Sequence, residues 1–308
     1  MINNGISTRQ NQQNNIAFLA AQRQIYSKAK RLSVYQFIFC VIFPLLIPFL
    51  KDKCPANTVQ IALVSILPII ILLLNAFLYE RVIKVLREKA AKIQELFDTT
   101  VLEIKWNSKK CGHKIEALNQ VKYYYKKYIK RKKTTYGLMN WYPIAYSNVK
   151  IEVGRILCQR SNLSWDNDVR IKFQYFLIII MCLSAITILL IATIGNKTFI
   201  TTLVNIVPSI PIIIYLVVKY LENRDTINRL DFLKQRVDEL WENLLSSQID
   251  SDTLNSASRQ LQDLIYEHRA NAFMVWDWFY RLFRNSQEQD ADTIANYVIS
   301  EYYKSQVQ

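Results

Sequence analysis

Four apolar runs without an ionisable acid or base constrain this chain more than any other feature: Val34–Leu50, Val59–Tyr79, Phe173–Ile194 and Phe199–Val218. A helix rises ~1.5 Å per residue, so about 20 apolar residues cross a hydrocarbon core of roughly 30 Å, where one central Lys, Arg or Asp costs ~2.5–3.5 kcal/mol. The runs predict four transmembrane helices. Val34–Leu50, with Pro44 and Pro48, is the weakest span.

Short connections, Lys51–Thr58 and Gly195–Thr198, group the runs into two antiparallel hairpins, so the remaining segments lie on one side of the bilayer. Residues 1–33 carry five basic and no acidic groups, and residues 80–172 carry 21 basic against nine acidic. The positive-inside rule places both in the cytoplasm. No cleavable targeting pattern precedes the first run, which reads as a signal anchor. The expected organisation is a basic N-terminal segment (1–33), a first hairpin (34–79), a basic helical region (80–172), a second hairpin (173–218) and an acidic helical C-terminal region (219–308). The fold class is all-α, a polytopic membrane protein with a helical cytosolic domain.

Of the net charge of +14, residues 80–172 contribute +12, whereas residues 219–308 carry ten basic and fifteen acidic groups. Opposite charge predicts docking of the tail on the middle region, within or between chains. Cys54 alone faces outward, as a free thiol or a bridge between subunits; Cys40, Cys111, Cys158 and Cys182 fall in spans or reducing cytoplasm.

Three- and four-residue spacing of Val82, Val85, Leu86, Ile93, Leu96, Phe97, Val101 and Ile104 predicts an amphipathic helix leaving the second crossing. Ile227 to Leu244 repeats the pattern after the fourth. Further helices are expected at 17–31, 115–131, 148–159, 256–283 and 290–305. The halves share an order of Gln-Arg (Gln22-Arg23, Gln159-Arg160), hairpin with a central proline (Pro68, Pro208) and helix ending near Trp. Duplication of a two-span unit and chance both account for it.

Five glycines, at positions 5, 112, 137, 154 and 195, allow neither a Walker loop nor a dinucleotide fingerprint. Two histidines and no Cys-x-x-Cys pair leave no metal centre or nucleophile to assemble; Cys111 and His113 supply two ligands of a site that needs four. The expectation is a non-enzyme without metal or cofactor. Spans free of charge also lack a proton relay or voltage sensor. Their Ser65, Asn75, Asn205 and Ser209 suit helix–helix bonding or the lining of a multi-subunit pore.

Lys122–Lys133 interleaves seven basic residues with four tyrosines. It suits either an anionic inner leaflet or an anionic ligand whose bases stack on tyrosine. Residues 273–283 crowd aromatics that either lie in the membrane interface or pack on a neighbouring helix. In Cys158–Arg170, Asp166 and Arg170 stand four apart and can pair on a helix, with Ser164 or Asn162 as a cap. That density of polar groups before a crossing has a structural or a ligand-binding task.

Cys158–Arg170, with Gln13-Asn14, Ala20–Lys30 and the two hairpins, resembles the SMODS-associated four-transmembrane effector domain family over nearly the whole chain. Val169 departs from an expected Leu. The resemblance implies antiphage defence of the CBASS type: a cGAS/DncV-like nucleotidyltransferase makes a cyclic oligonucleotide, and the effector recognises it and damages the bacterial inner membrane in abortive infection. It implies a multi-pass inner-membrane protein with both termini cytoplasmic, partnered by that cyclic oligonucleotide as activating ligand, by the lipid bilayer and by its own copies in a homo-oligomer, and by no polymeric nucleic acid. The residues expected to meet the ligand are Arg155, Arg160 and Arg170 with Trp165 stacking, then Gln22, Arg23 and Lys30; each has an alternative as a cap or juxtamembrane anchor. Competing readings are a constitutive channel or small-solute transporter, and a membrane scaffold.

Overall fold

The computed structural model describes residues 3–51, 58–193, 202, 206, 209–246 and 249–306. Among them there is no strand, and the elements are all helices joined by short turns and loops. After a short α1 (Ile6–Gln10), α2 (Gln13–Phe37) runs without a break through a π turn at Ile38–Ile42 into α3 (Phe43–Lys51). The π turn sits immediately before Pro44, whose missing N–H interrupts the ordinary ladder. The second crossing, α4 (Thr58–Leu74), carries Pro68 internally and passes through a second π turn, Asn75–Tyr79, into α5 (Glu80–Val101).

α6 (Ser108–Cys111) and α7 (Lys114–Lys132) follow, then 3-10 turns at Tyr136–Leu138 and Ile144–Asn148. α8 (Ile151–Thr193) is one helix of 43 residues that holds both the polar segment before the third crossing and the crossing itself. α9 (Ile210–Leu245) contains the end of the fourth crossing and continues well beyond it. α10 (Ser251–Asn271) and α11 (Asp277–Ser305) complete the chain. Most of the first half of the fourth crossing, with Asn205 and Pro208, and most of both hairpin connections, with Cys54, lie outside the described residues.

Three described helical stretches, Gln13–Ile47, Ile66–Val101 and Ile151–Thr193, are long and apolar enough to span a membrane. Their apolar faces are bare: Ile38, Ile42, Leu46, Ile69, Leu73, Phe77, Ile179, Leu183, Ile186 and Leu189 are all exposed. So continuous an apolar surface suits hydrocarbon rather than water, and helices satisfy their backbone groups internally there. Each crossing thus shares its helix with a segment of the polar helical body.

In that body α2 packs lengthwise on α5 and α7, α8 on α9, and α10 bridges α5 and α8. One core joins Leu19, Ile25, Ile93, Phe97, Ile156, Leu157, Val237 and Ile265. The N-terminus is tied into it: Asn4 Nδ2 donates to the carbonyls of Tyr146 (2.8 Å) and Val149 (3.0 Å). The Gln10 amide closes a two-way bond with the Tyr142 backbone.

The helix expected over 256–283 is in fact two. α10 stops at Asn271, and Ala272 turns extended (φ −66°, ψ 136°) before α11 starts at Asp277. Remote side chains hold the break. Thr226 Oγ1 accepts from the Phe273 N–H at 3.0 Å, Arg170 donates to the Phe273 carbonyl at 2.6 Å, and Arg87 donates to the carbonyls of Ala270 (2.7 Å) and Ala272 (3.1 Å). The aromatic segment packs on the foot of the third crossing, where Phe273, Trp276 and Phe279 surround Phe173 at centroid distances of 5.1–5.5 Å.

Candidate functional site

Two buried polar hubs lie inside the helical body. The first is centred on Asp98, fully buried on α5. Its carboxylate accepts from Tyr142 Oη (2.6 Å) and Gln262 Nε2 (3.1 Å) and forms an ion pair with Arg269. One turn earlier, Glu95, also fully buried, accepts from Gln262 (2.6 Å) and pairs with Arg259 (3.0 Å). Burial, then the neighbouring Asp98 charge, raises the Glu95 carboxyl to about 7 against the bonds from Gln262 and Arg259. Gln262 extends the network to Gln159 of α8 at 3.0 Å.

The second hub is Asp166 on α8. Arg170, one turn on, donates Nε to it at 2.6 Å, Tyr280 donates its hydroxyl, and His268 Nε2 stands 3.6 Å away, beyond hydrogen-bond reach. Burial opposes the Asp166 charge, but Arg170, with His268 and Tyr280, outweighs it and holds the carboxyl well below the usual range. Burial likewise lowers His268, against the pull of Asp166, and neither of its ring nitrogens has a hydrogen-bond partner.

The two hubs share a cationic corner where α10 ends. Arg87 is answered by carbonyls at the end of α10, and Arg229 by the Asn271 carbonyl and Thr226 Oγ1, both at 3.3 Å. Neither is in an ion pair among the described residues. Tyr26 of α2 feels the charges of Arg269, Arg87 and Arg170, and burial pushes its phenol up to about 12 against those cations.

Some of the residues expected from sequence meet here. Lys30 pairs with Asp277 at 3.0 Å and lies over the Tyr280 ring, 4.4 Å from its centroid, so Lys30 and Arg170 share Tyr280 as a neighbour. Arg23 sits nearby, donating to the Gly137 carbonyl at 3.3 Å and adding its charge beside Asp277. Gln22 is buried in α2. Arg155 and Arg160 stand elsewhere on α8, residue 155 being about 22 Å along the axis from residue 170. Arg155 donates to the Leu102 carbonyl at 2.6 Å and to Asn255, and Arg160 pairs with Asp238 at 2.9 Å. Trp165 belongs to α8, and its side chain lies outside the described residues.

Glu95, Asp98, Arg87, Arg229, Arg269 and Tyr280 were not anticipated. The only signal available was two acids on a helix otherwise buried from Ile93 to Val101. Tail and middle do dock, but the most deeply buried pairs run against the net charge, with basic Arg259 and Arg269 of the acidic tail meeting acids of the basic middle. Among the described residues no three His, Cys, Asp or Glu groups gather as a metal site would require. Burial raises the Cys158 thiol well above its ordinary range and Cys111 to about 12, which leaves both unreactive. The charge network thus joins α5, α8 and α10, of which α5 and α8 continue into crossings.

Residues 4–298 match the SMODS-associating 4TM effector domain. The chain belongs to that family. The chain is also 26% identical over 285 residues, 91% of its length and 94% of the relative's, to a protein of Bacillus cereus (strain VD146) named "Probable CBASS effector molecule IK1_05631". No solved structure is significantly similar to it. Family and relative together make the chain a CBASS-associated membrane protein of the antiviral defence class.

Proposed function

We propose that the chain is the killing component of a cyclic-oligonucleotide defence system. Its cytosolic helices bind the messenger, its copies associate, and its two hairpins rearrange to permeabilise the bacterial inner membrane. The observation that carries this reading is continuity: the cationic corner is built by α2, α5, α8 and α9, and each of these is the same helix as a crossing or its direct extension. A polyanion drawn to Arg170, Lys30, Arg87 and Arg229 competes for donors that now hold the α10–α11 break and Asp166. Arg23 flanks that corner, Arg160 is a partly exposed second contact farther along α8, and Trp165 is a stacking candidate. Moving the spans from 1:99 to 99:1 in favour of an open state takes roughly 5.5 kcal/mol of differential binding, within the range of a few charge-assisted hydrogen bonds.

Induced expression with and without a cognate nucleotidyltransferase tests the proposal, read by uptake of a membrane-impermeant dye. Uptake only with active synthase is expected. Uptake without synthase points to a constitutive channel, and no uptake in either condition to a scaffold or a gated transporter.

A further inference from the structure

We propose that the exposed face of α7, continued by Lys28 and Arg31 of α2, is a docking surface for the anionic lipid headgroups of the leaflet from which α2 enters the bilayer. α7 buries Ala117, Val121 and Tyr128, with Tyr124, Tyr125 and Ile129 packed against the same core. Its basic residues face the other way: Lys122, Lys126, Lys127, Lys130, Arg131, Lys132 and Lys133 are all exposed. None of the seven is in an ion pair among the described residues.

α7 packs along α2, the helix that becomes the first crossing, and two neighbours of Arg131 place the basic end of α7 at the membrane margin. Arg131 lies close enough to Arg31 to feel its charge, and Arg31 is three residues before the first apolar run. It also feels Asp277, whose neighbour Trp278 packs edge-on at 5.8 Å against Phe176 in the third crossing. The basic end of α7 therefore sits level with the feet of two different crossings. An aromatic such as Tyr136, 83% exposed just beyond α7, suits the same interface.

Among the described residues no carboxylate forms an ion pair with this face. Five carboxylates of the acidic C-terminal region pair elsewhere: Glu222 with Lys219, Asp238 with Arg160, Asp263 with Arg259, Glu267 with Lys110 and Asp277 with Lys30. Like charges crowd instead: burial, then the nearby Arg31 and more weakly Arg23, lower the Arg131 guanidinium against Asp277 and Tyr128. A cluster of this size beside a bilayer concentrates anionic lipid within a Debye length, and high salt screens the attraction.

The test uses the full chain in phosphatidylcholine nanodiscs with and without phosphatidylglycerol. Acetylation of Lys126, Lys127 and Lys130 by an impermeant amine reagent is followed by mass spectrometry, with Lys109, beyond the far end of α5, as the reference. Docking predicts labelling at least about threefold slower with phosphatidylglycerol, restored by high salt, with Lys109 unchanged. Equal rates in both lipids overturn the proposal. So does protection that requires a soluble cyclic dinucleotide and is indifferent to lipid, which would make the face a nucleotide surface. The assay needs neither messenger nor toxicity, so its outcome is independent of the proposed killing activity.

Discussion

Gln36 Nε2 donates to Asn75 Oδ1 at 2.6 Å, joining the first crossing to the second near the polar body. The same amide reaches Glu80, which pairs with Lys219 where the fourth crossing leaves the membrane, and Lys219 also meets Glu222 at 3.0 Å. Lys219 is buried, so one polar clasp holds three crossings of both hairpins together. A buried bond of this kind contributes about 1 kcal/mol, and replacing both partners leaves no orphan. Thermal unfolding in detergent should therefore show Gln36→Leu with Asn75→Leu costing about 1 kcal/mol less than the sum of the single changes. A coupling near zero would mean that the bond is not made.

Asp98 is the most heavily committed carboxylate in the body, with Tyr142, Gln262 and Arg269 all donating to it. Asp98→Ala strands Arg269 in the interior, and breaking a buried pair from one side costs ~3–5 kcal/mol. Tyr142→Phe keeps the ring stacked on Phe97 at 6.0 Å and removes only the hydroxyl, for about 1–2 kcal/mol. Melting temperatures of the two variants should fall in that order.

Glu95 gives stability a pH slope of defined sign. Its folded carboxyl stands at about 7 and the unfolded one near the ordinary 4.5. Between those values the unfolded chain releases the proton first, so this group stabilises the fold below about 4.5 and loses that contribution as pH rises to about 7. Glu95→Gln, measured by thermal unfolding across pH 5–8, should remove a decline on the order of 2 kcal/mol relative to the parent. Identical profiles for parent and variant would contradict the assignment.

Much of this architecture was legible because bilayer physics writes plainly. Runs without charge give crossings, and the spacing of Ile93, Leu96, Phe97 and Val101 gives α5. The hubs were not legible, because Asp98 is satisfied by Arg269, 171 positions away, and local spacing says nothing about such partners. The break at 272–276 has the same origin. No Gly or Pro announces it, and its backbone groups are satisfied by Thr226, Arg170 and Arg87 from three other helices. The pairing of Asp166 with Arg170 was visible as a four-residue spacing, whereas Tyr280 and His268 beside it were not.

Gly154 marks where the N-terminus locks to α8. A Cβ there would stand 2.6 Å from Asn4 Nδ2 and 3.0 Å from both Ile6 Cδ1 and the Tyr146 carbonyl. The backbone carbonyl cannot yield cheaply, so Gly154→Ala should displace Asn4 from its two carbonyl partners and cost roughly 1–3 kcal/mol. Faster proteolysis of the first residues would accompany the lower melting temperature, and an unchanged melt would show that the lock is loose.

Arg170 and Arg229 separate structure from signal at the cationic corner. Arg170 is buried and bonded to Asp166 and the Phe273 carbonyl, so Arg170→Ala removes a charge partner and a support of the α10–α11 break together. It should cost ~3–5 kcal/mol, and any loss of signalling would be uninterpretable without that measurement. Arg229 is exposed, and its two bonds are both 3.3 Å long, so Arg229→Gln should shift stability by no more than about 0.5 kcal/mol. If an anion is read at this corner, the same variant should lose most dye uptake in cells carrying the synthase while its melting temperature stays with the parent. Arg160, paired with Asp238 on the surface of α8 and α9 and proposed as the second contact, is the comparison: its removal is also cheap to the fold, and Arg160→Ala should lower uptake less than Arg229→Gln. Retained uptake in Arg229→Gln with loss in Arg160→Ala would move the messenger site along α8, away from the crossing.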